Sequence, residues 1–398
     1  MSVNFDKFIS PVVKNMPPSG IRRFFDLVAN TKGVISLGVG EPDFVTPWHI
    51  REACVYSLEK GYTMYTSNYG LPELRKEIST YLLKRYEVEY NPDNEIVVTI
   101  GASEAVDIAL RALLTPGDEV LIPEPCFVSY SPCTLLAGGT PVTIKTNASN
   151  GFKLTPQQLE ANITDKSKIL ILCYPNNPTG ATMSKEDLQA IARVVEKHDL
   201  IVISDEIYSE LTYQGKHTSF ASLPGMRERT ILINGFSKGF AMTGWRIGYV
   251  CAHKHFIDAI VKIHQYTIMC ASIMAQKAAI EALQNGRAQV SHMVNQYNYR
   301  RRLIVSRLNE IGLSCFEPKG AFYVFPSVQI TGMSSDEFAE KLLDEEKVAV
   351  VPGNAFGESG EGHIRISYAS SLQQINEALN RIDNFVKRYA HLSAVNSN

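Results

Sequence analysis

Between about residue 50 and residue 285, short apolar runs alternate with segments whose apolar positions recur every three to four residues. The runs EIVVTI (95–100), EVLIPEP (119–125), KILILCYP (168–175), LIVISDEIY (200–208) and TILINGF (230–236) are apolar at consecutive positions rather than alternate ones. A strand of that kind is buried on both faces, which points to a parallel sheet covered by helices. Helical periodicity predicts helices over 72–86, 102–114 and 185–199, the second ended by TPGD.

Outside that stretch the texture changes. A Pro-rich N-terminal segment leads into IRRFFDLVAN (21–30), read as a short helix, and VISLGVGEPDF (34–44), a buried strand running into a Gly/Pro turn. A long helical region over about 257–312 is followed by GLSCFEPKGAFYVFPSV, a helix at 334–346, and the strands KVAVVPG and HIRISYA. The fold class expected is α/β, a mostly parallel central sheet flanked by helices, with a smaller α+β domain built from both chain ends. The domains expected are 1–48, an N-terminal arm and part of the small domain; 49–288, the large domain; and 289–398, the small C-terminal domain. The polar tail SAVNSN is expected to fray.

Charge narrows the partners. In 398 residues, 39 Lys plus Arg face 41 Asp plus Glu, so no basic surface calls for nucleic acid or an anionic membrane. No apolar run reaches membrane-spanning length, and the N-terminus has no signal-peptide pattern. Seven cysteines without a CxxC pair sit singly in apolar stretches, so a reducing, cytoplasmic setting is expected.

Four motifs stand just after predicted strands, where ligands of open α/β sheets lie. SDEIY sets Asp205 at the end of an apolar strand, with Tyr208 three residues on. A carboxylate there is costly unless it meets a cation or strong donor; alone, it also reads as a turn cap. NGFSKGFAMTGWRIGYV carries Lys238 and, eight residues later, Arg246. A desolvated lysine amine is nucleophilic and suited to Schiff-base chemistry, and the arginine fork suits a phosphate, though most lysines are solvated surface charges. In IGASEAVDIALRALL, the small Gly101, Ala102 and Ser103 open a helix whose free N–H groups can bind an anion, or simply start the helix. YPNNPTG is a tight turn from which the amide of Asn177 can reach a ring oxygen. With the aromatic-bearing loop EPCFVSY, these features fall at one edge of one predicted sheet.

On SKGFAMTGWRIG, NNPTG, SDEIY and GAS, the chain resembles fold-type I pyridoxal-phosphate enzymes of aminotransferase class I/II, in the prokaryotic branch that includes aspartate and aromatic aminotransferases. The resemblance covers roughly residues 15–388. It implies pyridoxal 5′-phosphate as cofactor, no metal, and ping-pong transfer of an amino group between an L-amino acid and a 2-oxo acid, with glutamate and 2-oxoglutarate as one pair. Lys238 would hold the cofactor and shuttle the proton. Asp205 would pair with the ring nitrogen, Tyr208 and Asn177 with the ring oxygen, and Phe127 would stack on the ring. Arg246, Ser237 and the N–H groups of Ala102 and Ser103 would hold the phosphate. Tyr65, in MYTSNYGLPELR, matches a tyrosine that reaches the neighbouring subunit's phosphate, which implies a homodimer with shared active sites. Arg365 and Gly40 match residues that hold the substrate α-carboxylate, Asn177 beside them.

Two departures matter. Gly235 stands where the family often has a phosphate-binding Ser, with Ser237 a candidate replacement. Ser103 stands where the prokaryotic aspartate enzymes have a Lys for the distal carboxylate, so a preference for aspartate is not inherited. Phe127 with Tyr69 suggests tolerance of apolar side chains. A C–S (β-)lyase on the same fold is the rival enzyme reading. A non-catalytic DNA-binding regulator lacks support, because the N-terminal arm is too short for a helix-turn-helix module.

Overall fold

The computed structural model describes residues 3–18, 20–21 and 31–395. Residues 22–30 of the expected IRRFFDLVAN helix and the last three of the SAVNSN tail lie outside them. Twelve strands are described: β1 (Ile35–Ser36), β2 (Ile96–Thr99), β3 (Glu119–Glu124), β4 (Thr140–Lys145), β5 (Ser167–Cys173), β6 (Ile201–Asp205), β7 (Thr230–Gly235), β8 (Gly248–Cys251), β9 (Tyr323–Val324), β10 (Val348–Ala349), β11 (Val351–Pro352) and β12 (Ile364–Ser367).

Seven of them form one mixed, mostly parallel sheet in the order β2-β8-β7-β6-β5-β3-β4. Only β8 runs against its neighbours, β2 and β7. The absence of alternation in the apolar runs has the expected cause: successive residues enter two different cores. Val97, Ile122, Ile171, Ile203 and Ile233 pack with the helices Gly101–Leu113 and Lys254–Thr267. Val98, Leu121, Leu170, Val202 and Leu232 pack with the helices Pro72–Tyr86, Lys185–Lys197 and Ile273–Asn285. Each side chain removed from water contributes roughly 1.5–3 kcal/mol, and both faces are dry. Ser184 and Asp187 form a capping box that starts the helix Lys185–Lys197.

The smaller sheets lie where both chain ends meet. The N-terminal β1 pairs in parallel with β10, as expected of that segment, and β11-β12-β9 form an antiparallel trio. The long helical region resolves into three helices, Lys254–Thr267, Ile273–Asn285 and Arg287–Ile311, with Gly286 between the last two. The short strands β4 and β8 and the helices Trp48–Glu59 and Leu372–Val395 are not singled out by the sequence pattern. Among the described residues, no helix is long and apolar enough to cross a membrane.

Candidate functional site

The carboxyl ends of β2, β5, β6 and β7 open on one cavity of about 690 Å³. Eleven of the residues named from the sequence line it: Gly40, Ala102, Ser103, Phe127, Asn177, Asp205, Tyr208, Ser237, Lys238, Arg246 and Arg365. Tyr65 is 81% exposed and stands apart from it. Tyr69 also stands outside, with the Arg75 guanidinium 5.8 Å from its ring.

Lys238 lies in the turn after β7, and its Nζ donates to the carbonyl of Gly40 at 2.7 Å. Burial pulls the amine down to about 8, with Arg365 and Arg246 adding to the effect against Glu41 and Asp205. An amine in that range gives up its proton far more readily than a surface lysine does. The loop behind it is pinned by Thr46, whose Oγ1 donates to the Ala241 carbonyl at 2.5 Å and accepts from Trp245 Nε1 at 3.0 Å. Ala241 and Arg246 both take left-handed backbone, at φ 53° and 51°. Such a conformation persists in non-glycine residues only where the surroundings enforce it.

Asp205 ends β6, opposite Cys173 of β5. It accepts from the Tyr130 hydroxyl at 2.8 Å and from the Ile207 N–H at 3.1 Å. Among the described residues no Lys or Arg forms an ion pair with it. Burial pushes its carboxyl up to about 6, the Tyr130 hydrogen bond opposing the rise. The folded protein therefore holds this proton more tightly than the unfolded chain, and stability falls as pH rises from about 4 to 6. The full cost above pH 6 is about 3 kcal/mol. Replacing the carboxylate by an amide should make cofactor-free Asp205→Asn protein more stable than wild type at pH 7–8, the gap closing near pH 4. Urea melts across that range check it; parallel curves at all pH values would contradict a buried, uncompensated charge.

The helix Gly101–Leu113 begins with no side-chain cap, so its first N–H groups face the cavity beside Ala102 and Ser103. Glu104 steadies this end: it accepts from the Ile100 N–H at 2.5 Å and from His264 Nδ1 at 2.6 Å. Gly101 has φ +72°, and a Cβ there would lie 2.7 Å from the Arg246 guanidinium. Gly248 lets β8 approach the same helix end, since a Cβ there would meet the Ala102 nitrogen at 2.8 Å. Gly235 is closely packed, a Cβ there lying 3.0 Å from the Gly248 Cα and 3.1 Å from the Ile247 carbonyl, so a side chain would need its neighbours to give by a few tenths of an ångström. Ser237, two residues on, lines the cavity.

Arg365, on β12, is 3% exposed. Its Nη1 donates to Asn177 Oδ1 at 2.9 Å and its Nη2 to the Gly38 carbonyl at 2.6 Å. The guanidinium lies between the rings of Tyr323 and Phe356, at 4.5 and 4.7 Å. The buried Nε has no partner among the described residues. Sequence reasoning passes over Tyr130 and Tyr323. The first lies three residues beyond Phe127 in the loop already noted, and their rings meet edge to face at 5.7 Å. The second is hidden in GAFYVF, which reads as an ordinary core strand.

The family model for aminotransferase class I and II matches residues 32–382. The chain belongs to that family, and it is an aminotransferase. It is 58% identical to a putative aminotransferase, YugH, of Bacillus subtilis over 96% of this chain and 99% of that one. It is 49% identical to an aspartate aminotransferase of Pyrococcus abyssi, over 93% of this chain and 96% of the relative. The crystal structure of an aromatic aminotransferase from Pyrococcus horikoshii superposes with a TM-score of 0.88, at 47% identity, covering 92% of this chain and 99% of that one. These comparisons and the seven-stranded sheet agree with the fold class read from the sequence.

Proposed function

We propose that the cavity holds pyridoxal 5′-phosphate and transfers amino groups between an L-amino acid and a 2-oxo acid in two half-reactions, glutamate and 2-oxoglutarate being one pair. The observation that carries this reading is the presence in one cavity of Lys238, an amine pulled down to about 8, and Asp205, a buried carboxylate that makes no ion pair among the described residues. The residues fit the cofactor at both ends. Asp205 offers a charge that a ring N–H⁺ would satisfy, and the uncapped helix end with Arg246 over Gly101 is a phosphate cradle.

When bound, the pyridoxal ring supplies an aldehyde for the amino group and a protonated nitrogen that draws electrons from Cα. Lys238 carries the proton away from Cα and returns it, for which an amine titrating near neutrality is suited. Asp205 keeps the ring nitrogen charged, and Tyr130 fixes the carboxylate that does so. Tyr208 and Asn177, both lining the cavity, would donate hydrogen bonds to the ring oxygen, and Phe127 would cover the ring. Arg365 receives the α-carboxylate beside Gly40 and Asn177, aligning the Cα–H bond with Lys238.

The same reading makes Tyr65 a contact to a partner subunit's phosphate in a homodimer. Exposed Trp48, Tyr62, Met64 and Tyr65 supply the apolar surface that such an interface would cover. It also places residues 49–288 in a cofactor domain and both chain ends in a smaller one. A cytoplasmic location agrees with seven cysteines that form no disulfide.

The test is spectroscopic. Purified protein loaded with pyridoxal phosphate should show a visible absorbance band that shifts to the amine form on adding amino acids and returns with 2-oxoglutarate. A panel of aspartate, aromatic and aliphatic amino acids ranks the donors. Absence of the band, or release of pyruvate and ammonia from cystathionine with no 2-oxo acid required, would sink the proposal.

A further inference from the structure

We propose that Tyr323 is a positioning residue that sets both the hydrogen bonding of Tyr208 and the attitude of Arg365. The inference rests on the reading of the site given above; Tyr323 lines the same cavity but is given no contact to the cofactor in that reading.

Tyr323 is 1% exposed, and three contacts converge on it. Its hydroxyl lies 2.8 Å from that of Tyr208. Its ring lies 4.5 Å from the Arg365 guanidinium. Its hydroxyl would lie 2.6 Å from a Cβ on Gly40, so the loop carrying the Lys238 acceptor closes directly over it. Chain connectivity explains the convergence. Tyr323 opposes Ser367 across the β9–β12 ladder, so Arg365, two residues earlier on β12, is its diagonal neighbour on the same face. Tyr208, by contrast, follows the end of β6 in the central sheet. Tyr323 thus ties the strand that carries the carboxylate arginine to the sheet that carries the ring contacts.

Each half of the side chain has its own task. A phenol that donates its proton to a ring oxygen still has lone pairs, and among the described residues the partner of the Tyr208 hydroxyl is that of Tyr323. A donor placed there polarises Tyr208 and strengthens its outward hydrogen bond. The ring, with that of Phe356, packs against the guanidinium at 4.5 and 4.7 Å and restricts where it can sit. The hydroxyl therefore tunes proton affinity at the cofactor, and the ring governs substrate binding.

Two substitutions separate these tasks. Tyr323→Phe keeps the ring and removes the hydroxyl; Tyr323→Leu removes both. In protein loaded with pyridoxal phosphate, the pH titration of the bound cofactor's absorbance is followed without substrate, and KM and kcat are measured separately. In Tyr323→Phe the titration midpoint should rise by about half a unit or more, as a weakened hydrogen bond to the ring oxygen requires, with KM within about twofold of wild type. Tyr323→Leu should show the same rise together with a KM higher by about tenfold. A midpoint in Tyr323→Phe equal to wild type overturns the first task, and an unchanged KM in folded Tyr323→Leu overturns the second. Should the leucine variant not fold, the phenylalanine titration still decides the proposal. A wild-type protein without any cofactor band is a different failure, that of the cofactor assignment itself.

Discussion

Lys238→Ala should lower turnover by at least about 10⁴-fold while leaving the fold and cofactor binding in place, since acid–base catalysis alone contributes 10²–10⁴ and covalent attachment adds to it. Among the described residues the side chain's only hydrogen bond is to the Gly40 carbonyl, so its removal does not break into either core. The loop stays pinned through Thr46, Ala241 and Trp245. Circular dichroism and a phosphate-bound cofactor recovered by gel filtration would show the intact scaffold, and single-turnover kinetics the lost proton transfer. Borohydride reduction followed by peptide mapping gives the complementary result in wild type, with the reduced cofactor on Lys238. Label on another lysine, or a variant that turns over at the wild-type rate, would remove the basis for the mechanism.

Much of this site is legible in the amino-acid sequence because the chemistry sits at strand ends. Asp205, Asn177 and Lys238 come at or just after the ends of strongly apolar strand runs, where polar groups are conspicuous against the residues before them. The cavity gathers them as the sheet topology requires, since β5, β6 and β7 are parallel neighbours and their carboxyl ends point the same way. What stays hidden has equally physical reasons. β8 is four residues long and follows a loop in which Arg246 is held at positive φ, so no local period announces it or its reversed direction. Tyr130 and Tyr323 are buried aromatics among other buried aromatics, and nothing in EPCFVSY or GAFYVF says which hydroxyl will meet a carboxylate or another phenol. Tyr65 is reached only through family resemblance. Its exposed position in one chain is silent on a role that would require a second copy.

The second large effect is expected at Arg365. Its guanidinium is buried, yet among the described residues it meets no carboxylate, only the Asn177 amide oxygen and the Gly38 carbonyl. Burial alone lowers its hold on the proton, a cost that an incoming carboxylate would offset. Arg365→Ala should raise KM for every α-amino and 2-oxo acid by about 10²- to 10³-fold, in line with the 2–5 kcal/mol lost when one partner of a buried charge pair is removed. The loss should be nearly independent of the substrate side chain, because the α-carboxylate is common to all of them. Some thermal stability should go as well, since Asn177 Oδ1 and the Gly38 carbonyl lose their donors. Arg365→Lys would restore the charge but not the planar fork between Tyr323 and Phe356, and should recover only part of the binding. Steady-state kinetics on two donors of unlike side chain, with cofactor-shift titrations for the half-reactions, measure the effect. An Arg365→Ala enzyme with wild-type KM for both donors would mean that the α-carboxylate is held elsewhere, and that this buried cation serves only to tie Gly38 and Asn177 together.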